Sequence, residues 1–78
     1  MKLKQLQELI LSVKADAKNL EPQHRLRQDT GLYSFDMRLL LVALDQKYGL
    51  RIPMALLHPE MTVSDLLDAI CQAKAKQD

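Results

Sequence analysis

The sequence predicts an all-α fold, a bundle of four helices in which the third is short and a long loop follows the first. Near both ends of the chain, apolar residues recur at spacings of three and four, as on one face of a helix. A central apolar run stops at Gly49, a residue suited to end a helix. A chain of 78 residues has room for one domain, which we place at residues 1–78.

The first segment predicts a helix over about residues 2–18. Its apolar stripe consists of Leu3, Leu6, Ile10, Val13, Ala17 and Leu20. The periodicity then stops, and Pro22 and Gly31 mark a loop that is long for so small a domain. Leu26 and Leu32 are expected to anchor this loop in the core.

A second helix is predicted to start near Ser34 and to end at Gly49. The Ser34 hydroxyl is expected to cap it, and Asp36 suits the positive end of its dipole. The helix has one apolar stripe of Leu40, Leu41, Leu44 and Tyr48, and another of Phe35, Leu39 and Val42. Because so small a protein cannot surround the helix with core, one stripe is expected to face a partner.

The remaining elements are short. Residues 54–58 predict one helical turn, which Pro59 stops. Thr62-Val63-Ser64-Asp65 has the pattern of a capping box, and it predicts a last helix over about residues 63–76. The apolar face of this helix consists of Val63, Leu66, Leu67, Ile70 and Ala73.

Charge and composition argue against several classes of function. Eleven Lys and Arg are interspersed with ten Asp and Glu, so there is no clustered basic face for a nucleic acid. No apolar stretch approaches the roughly 20 residues of a membrane span. The lone Cys71 cannot form a disulfide within the chain, and we interpret it as a small hydrophobe near the core. We expect a monomer in the cytoplasm.

Catalytic and metal sites are poorly supported by the residue types. His24, His58 and Cys71 lack metal-ligand spacing, so no metal site is predicted. A catalytic Ser34 would need a base and an orienting acid. The only candidate base is His58, which its neighbour Pro59 and the short helix explain as a surface residue. We therefore expect a carrier or an interaction protein and not an enzyme.

From Leu26 to Ile70 the sequence resembles the acyl carrier protein family. A Gly-Leu pair precedes a serine triplet, a helix follows, and an extended Ile-Pro comes next. The matching residues are Asp29, Gly31-Leu32, Ser34-Phe35-Asp36, Leu40-Leu41, Ala43-Leu44, Tyr48, Ile52-Pro53, Thr62-Val63, Leu66 and Ile70. This resemblance covers more than half the chain and implies a four-helix bundle of the acyl-carrier type.

The resemblance also implies a function for Ser34. In the family this serine receives 4′-phosphopantetheine from coenzyme A, and a separate phosphopantetheinyl transferase does the chemistry with a magnesium ion. The thiol of the arm then holds an acyl or aminoacyl group as a thioester. Implied partners are a loading ligase and a downstream synthase or transferase of a fatty acid, polyketide or related pathway.

Some residues depart from the family pattern. Tyr33 stands where the family usually has Asp before the serine, and Leu39 stands where the family commonly has Glu. Arg38 reverses the local polarity, and Val42 falls at a position where the family often has an exposed Met for partner contact. We expect the partner surface to consist of Tyr33, Phe35, Arg38, Leu39 and Val42, which would bind through apolar contacts and selected charges. Leu32 and Phe35 are expected to anchor the site in the core.

Two alternatives remain open at this point. The chain could be an aminoacyl or peptidyl carrier of a specialised pathway. It could also be a helical interaction module with a carrier-like fold and an unmodified Ser34.

Overall fold

The computed structural model describes residues 1–77, with side chains through residue 75. It contains α1 (Leu3–Val13), α2 (Ser34–Tyr48), a 3-10 turn (Met54–Leu56) and α3 (Val63–Gln77). Within residues 1–77 there is no strand, only an isolated bridge between Arg25 and Thr62. The all-α class is therefore confirmed.

The predicted short third helix is a 3-10 turn, so the described residues form three α-helices and not four. Two hydrogen bonds define the turn, from Leu56 N–H to the Pro53 carbonyl and from Leu57 N–H to the Met54 carbonyl, both at 3.0 Å. None of its three residues is buried. With no buried face to extend it, the segment stays at a length typical of 3-10 helix.

The first helix ends at Val13, whereas the periodicity predicted that it continues to residue 18. Lys14 leaves the helix in an extended conformation, and the Ala17 N–H donates to the Lys14 carbonyl at 3.0 Å to form a turn. Asn19 then adopts a left-handed φ of 57°. Ala17 and Leu20 still pack against the core. The chain thus brings the end of the apolar stripe to the core through a turn, which the spacing alone cannot distinguish from a helix.

The core joins the three helices to both connecting segments. Its buried apolar residues are Leu6, Leu9, Ile10, Leu26, Leu32, Met37, Leu40, Leu44, Leu50, Ile52, Met61, Val63, Leu66 and Ile70. Leu26 and Leu32 are fully buried, which confirms that they anchor the long loop. Cys71 is exposed, so its placement near the core is wrong. One residue beyond Ile70 is a rotation of roughly 100° about a helix, and this takes Cys71 off the core face.

Two sets of hydrogen bonds fix the start of α3. The Asp65 N–H donates to Thr62 Oγ1 at 3.1 Å, and the Thr62 N–H donates to Asp65 Oδ2 at 3.0 Å, which confirms the capping box. The bond from the Thr62 backbone lowers the pKa of Asp65 below its usual value. The long loop is tied to the same place, because the Val63 N–H donates to the His24 carbonyl at 2.9 Å.

Two adjacent leucines of α2 test which face of the helix is buried. Leu40 is fully buried and Leu39 is 39% exposed. We expect Leu40→Ala to lower the free energy of unfolding by about 2–5 kcal/mol, because it leaves a cavity in the core. The control Leu39→Ala should lower it by less than about 1 kcal/mol. Urea denaturation of both variants measures the difference, and equal losses would contradict this orientation of α2.

Candidate functional site

Ser34 is the first residue of α2, and its side chain is exposed. Leu32 before it is fully buried and Met37 after it is 3% exposed, so the backbone is anchored in the core on both sides. Gly31 has a φ of 86°, a conformation that favours glycine, and it turns the chain just ahead of this segment. The two buried anchors, Leu32 and Met37, hold the residues between them, including Ser34, at the surface.

The N-cap of α2 is Tyr33, so the expectation that Ser34 caps the helix is wrong by one position. The Tyr33 N–H donates to Asp36 Oδ2 at 3.1 Å, and no side-chain hydrogen bond comes from the N-cap residue itself. Among the described residues the Ser34 hydroxyl has no hydrogen-bond partner. The hydroxyl is therefore exposed and is not engaged in capping.

Two cations flank the residue that precedes Ser34. Lys14 Nζ lies 5.5 Å from the centroid of the Tyr33 ring, and Arg27 Cζ lies 5.9 Å from it. Lys14 Nζ also lies 3.5 Å from Asp36 Oδ2. The carboxylate in the first turn of α2 is thus already paired with a cation and with a backbone N–H.

The predicted partner stripe lies on the solvent side of α2. Phe35 is 71%, Leu39 39% and Val42 48% exposed. On a helical projection these three lie within about 60° of each other, opposite the buried side chains of Met37, Leu40 and Leu44. Arg38 is exposed beside the stripe.

Phe35 does not anchor the site in the core, contrary to the expectation. The residue next to Ser34 that enters the core from α2 is Met37, because the core face of the helix passes through positions 37, 40 and 44. The sequence indicated two apolar stripes, and it assigned Phe35 both to the core and to the partner surface. The structure places it with the exposed residues.

The structure brings Lys14 and Arg27 to the site, and sequence reasoning did not include either. Their positions depend on the path of the long loop, which local spacing does not encode. No local sequence signal pairs residue 14 with residue 36.

The other residues considered for chemistry lie outside this site. His58 is exposed in the segment before α3 and makes no hydrogen bond to Ser34 among the described residues. In the same part of the chain, no group of three or more His, Cys, Asp or Glu is placed to hold a metal ion. The helices described over residues 1–77 are all too short or too polar to span a membrane.

A family model described as a phosphopantetheine attachment site matches residues 4–70. The match covers α1, the long loop, α2 and most of α3, and it includes Ser34. The chain belongs to this family of phosphopantetheine-binding carrier domains. Neither the curated proteins nor the solved structures gave a match to this chain.

Membership of the family determines the class of activity. Domains of this family are attachment sites for 4′-phosphopantetheine, and they carry groups without catalysing the reactions. They work together with a phosphopantetheinyl transferase and with other enzymes. The site fits such a group, because the Ser34 hydroxyl is exposed and uncommitted, and two cations, which favour a negatively charged phosphodiester, lie against the ring of the preceding Tyr33.

The cap of α2 gives a test of how the site is held. We expect Asp36→Ala to lower the free energy of unfolding by about 1 kcal/mol, because the Tyr33 N–H and Lys14 lose their acceptor. Asp45→Ala is the control, since Asp45 lies near the other end of α2 and pairs with Arg51 only at 3.9 Å on the surface. That variant should change stability by less than about 0.5 kcal/mol. Urea denaturation measures both, and an Asp36→Ala variant as stable as the control would contradict the role of Asp36 in capping.

Proposed function

We propose that Ser34 is the residue that bears the 4′-phosphopantetheine arm, and that residues 1–78 form one carrier domain. One observation carries this proposal: the Ser34 hydroxyl is exposed at the first residue of α2 and has no hydrogen-bond partner among the described residues. The position lies inside the matched range of the family model. Ser12 and Ser64, the other serines of the chain, are placed less well. The Ser12 hydroxyl donates to the Leu9 carbonyl at 2.6 Å, and Ser64 is only partly exposed.

Ser34 would supply the oxygen that joins the protein to the arm. Its hydroxyl gives up a proton and bonds to the phosphorus that coenzyme A presents, and the nucleotide part of coenzyme A leaves. The transferase supplies the catalytic groups, while this chain holds the hydroxyl in place between Leu32 and Met37. Backbone N–H groups in the first turn of α2 favour the negative charge of the new phosphodiester.

We propose that the cargo is an acyl or aminoacyl group held as a thioester on the arm. A loading ligase would attach it, and a synthase or transferase of a fatty acid, polyketide or related pathway would receive it. In this reading the 3-10 turn Met54–Leu56 takes the place of the short third helix of an acyl-carrier bundle. Leu57, directly after the turn, packs against the core.

We propose that partner enzymes contact Tyr33, Phe35, Arg38, Leu39 and Val42. Three of these form the exposed apolar stripe of α2, and Tyr33, 56% exposed, adds an aromatic ring at its N-terminal end. An apolar stripe on the face of α2 opposite the core contributes little to folding of the isolated domain. Burial of this stripe against a partner would stabilise a complex.

Incubation with coenzyme A, magnesium and a phosphopantetheinyl transferase tests the attachment. We expect the intact protein to gain the mass of one phosphopantetheinyl group, because one exposed serine is uncommitted. Peptide mapping by mass spectrometry should place the group on Ser34. Ser34→Ala should show no gain, while the matched control Ser12→Ala should be modified like the wild type.

An equal gain in Ser34→Ala would contradict attachment at this residue. If several transferases leave the folded wild-type protein unmodified, the result would favour the interaction module with a free Ser34. Circular dichroism of each sample establishes that the protein is folded in the reaction.

The transferase is also the first partner on which the surface can be tested. Leu39→Ser removes an apolar contact from the stripe, whereas Leu56→Ser changes a leucine that is 50% exposed on the 3-10 turn. We expect Leu39→Ser to lower kcat/KM for modification about tenfold, mainly through KM, as loss of a binding contact does. Leu56→Ser should stay within about twofold of the wild type. Equal effects of the two variants would contradict the assignment of the surface to α2.

A further inference from the structure

An open groove lies between residues 14–18 and residues 27–31. It has a volume of about 260 Å³ and extends to Tyr33, the residue before the proposed attachment point. Three cations line it, Lys14, Lys18 and Arg27, together with the carboxylates of Asp16 and Asp29.

Of the three cations of the groove, Lys14 and Arg27 contact the Tyr33 ring, and Arg27 is the better placed of these two to bind a phosphate. Lys14 already pairs with Asp36 at 3.5 Å, whereas Arg27 forms no ion pair among the described residues. Of the two carboxylates, Asp29 is partly engaged, because its Oδ2 accepts the Arg25 N–H at 2.8 Å. The Arg27 guanidinium instead lies 5.9 Å from the Tyr33 ring.

The Tyr33 ring connects this cation to the site. Because the ring belongs to the N-cap of α2, a cation–π contact with it holds the guanidinium near the start of the helix. A neutral side chain before Ser34 also places no negative charge beside an incoming phosphate. An aspartate at this position would repel the phosphate at short range.

We infer that Arg27 binds the phosphate of the arm once it is attached at Ser34. This inference rests on the proposed function. A phosphodiester has two unesterified oxygens that share one negative charge, and a planar guanidinium donates two parallel hydrogen bonds to such a pair. This contact would orient the end of the arm that is attached to Ser34 relative to α2.

Nuclear magnetic resonance of the apo and the fully modified protein tests the inference. We expect the Arg27 side-chain Nε–Hε signal to move when the arm is attached. We also expect the phosphorus signal of the modified protein to differ between the wild type and Arg27→Gln. Arg51→Gln is the matched control, because Arg51 lies beyond the other end of α2, a helix about 22 Å long, and this variant should leave the phosphorus signal in place.

The outcomes separate this inference from the proposed function. Intact mass shows first whether each sample carries the arm, and a wild type that gains no mass would overturn both proposals. If the arm is present but neither the Arg27 signal nor the phosphorus signal of Arg27→Gln changes, only the inference is overturned. A further control adds coenzyme A to the Ser34→Ala variant. If coenzyme A moves the Arg27 signal of this variant as far as attachment of the arm moves it in the wild type, the groove binds the phosphates of coenzyme A. That result would overturn binding of the attached phosphate by Arg27.

Discussion

Hydrogen bonds between the long loop and the start of α3 are the constraint on which the site depends. The Leu26 N–H donates to the Met61 carbonyl at 3.0 Å, and the Ser64 N–H donates to the Pro22 carbonyl at 3.0 Å. Ordering so long a loop costs conformational entropy, which the burial of Leu26 and Leu32 offsets. Without these bonds and anchors the loop would not bring Arg27 to Tyr33 or hold Ser34 at the helix start.

The start of α2 shows how capping and chemistry are separated by a single residue. Asp36 reaches back to the Tyr33 N–H, so the helix end is satisfied from inside the first turn. Had Ser34 been the N-cap, its oxygen would have accepted a backbone N–H and would have been a weaker candidate for modification. The one-residue shift therefore matters more for function than for the fold.

Local chemistry predicted much of the fold. The capping box at Thr62 and Asp65 is present, and Gly49 ends α2 with a left-handed φ of 66°. Such signals act within a few residues, which is why the sequence shows them. Anchoring by Leu26 and Leu32 was also predictable, because a leucine in a long polar loop gains most by entering the core.

Contacts between residues far apart in the sequence determined the features that the sequence did not predict. The end of α1 depends on the turn at Lys14 and on the Lys18 N–H, which donates to the Thr30 carbonyl at 3.4 Å. The side of α2 that meets the core depends on how α1 and the loop pack against it, and two apolar stripes gave no means of choosing Met37 over Phe35. For the candidate site, the sequence predicted Ser34 at the start of α2 and the apolar stripe, but not the cations that the loop brings to Tyr33.

The charges around Ser34 bear on how partners recognise this domain. The carboxylate of Asp36 is only 19% exposed and is paired with Lys14, so it offers little to a basic partner surface. The exposed side chains near Ser34 along α2 are those of Tyr33, Phe35 and Arg38, and Arg27 is exposed against the Tyr33 ring. Long-range attraction speeds association when the two surfaces carry opposite charges, whereas apolar burial mainly slows dissociation. If partners bind the α2 stripe, as proposed, the fit of an apolar surface would contribute more to their selectivity than a fast charged encounter.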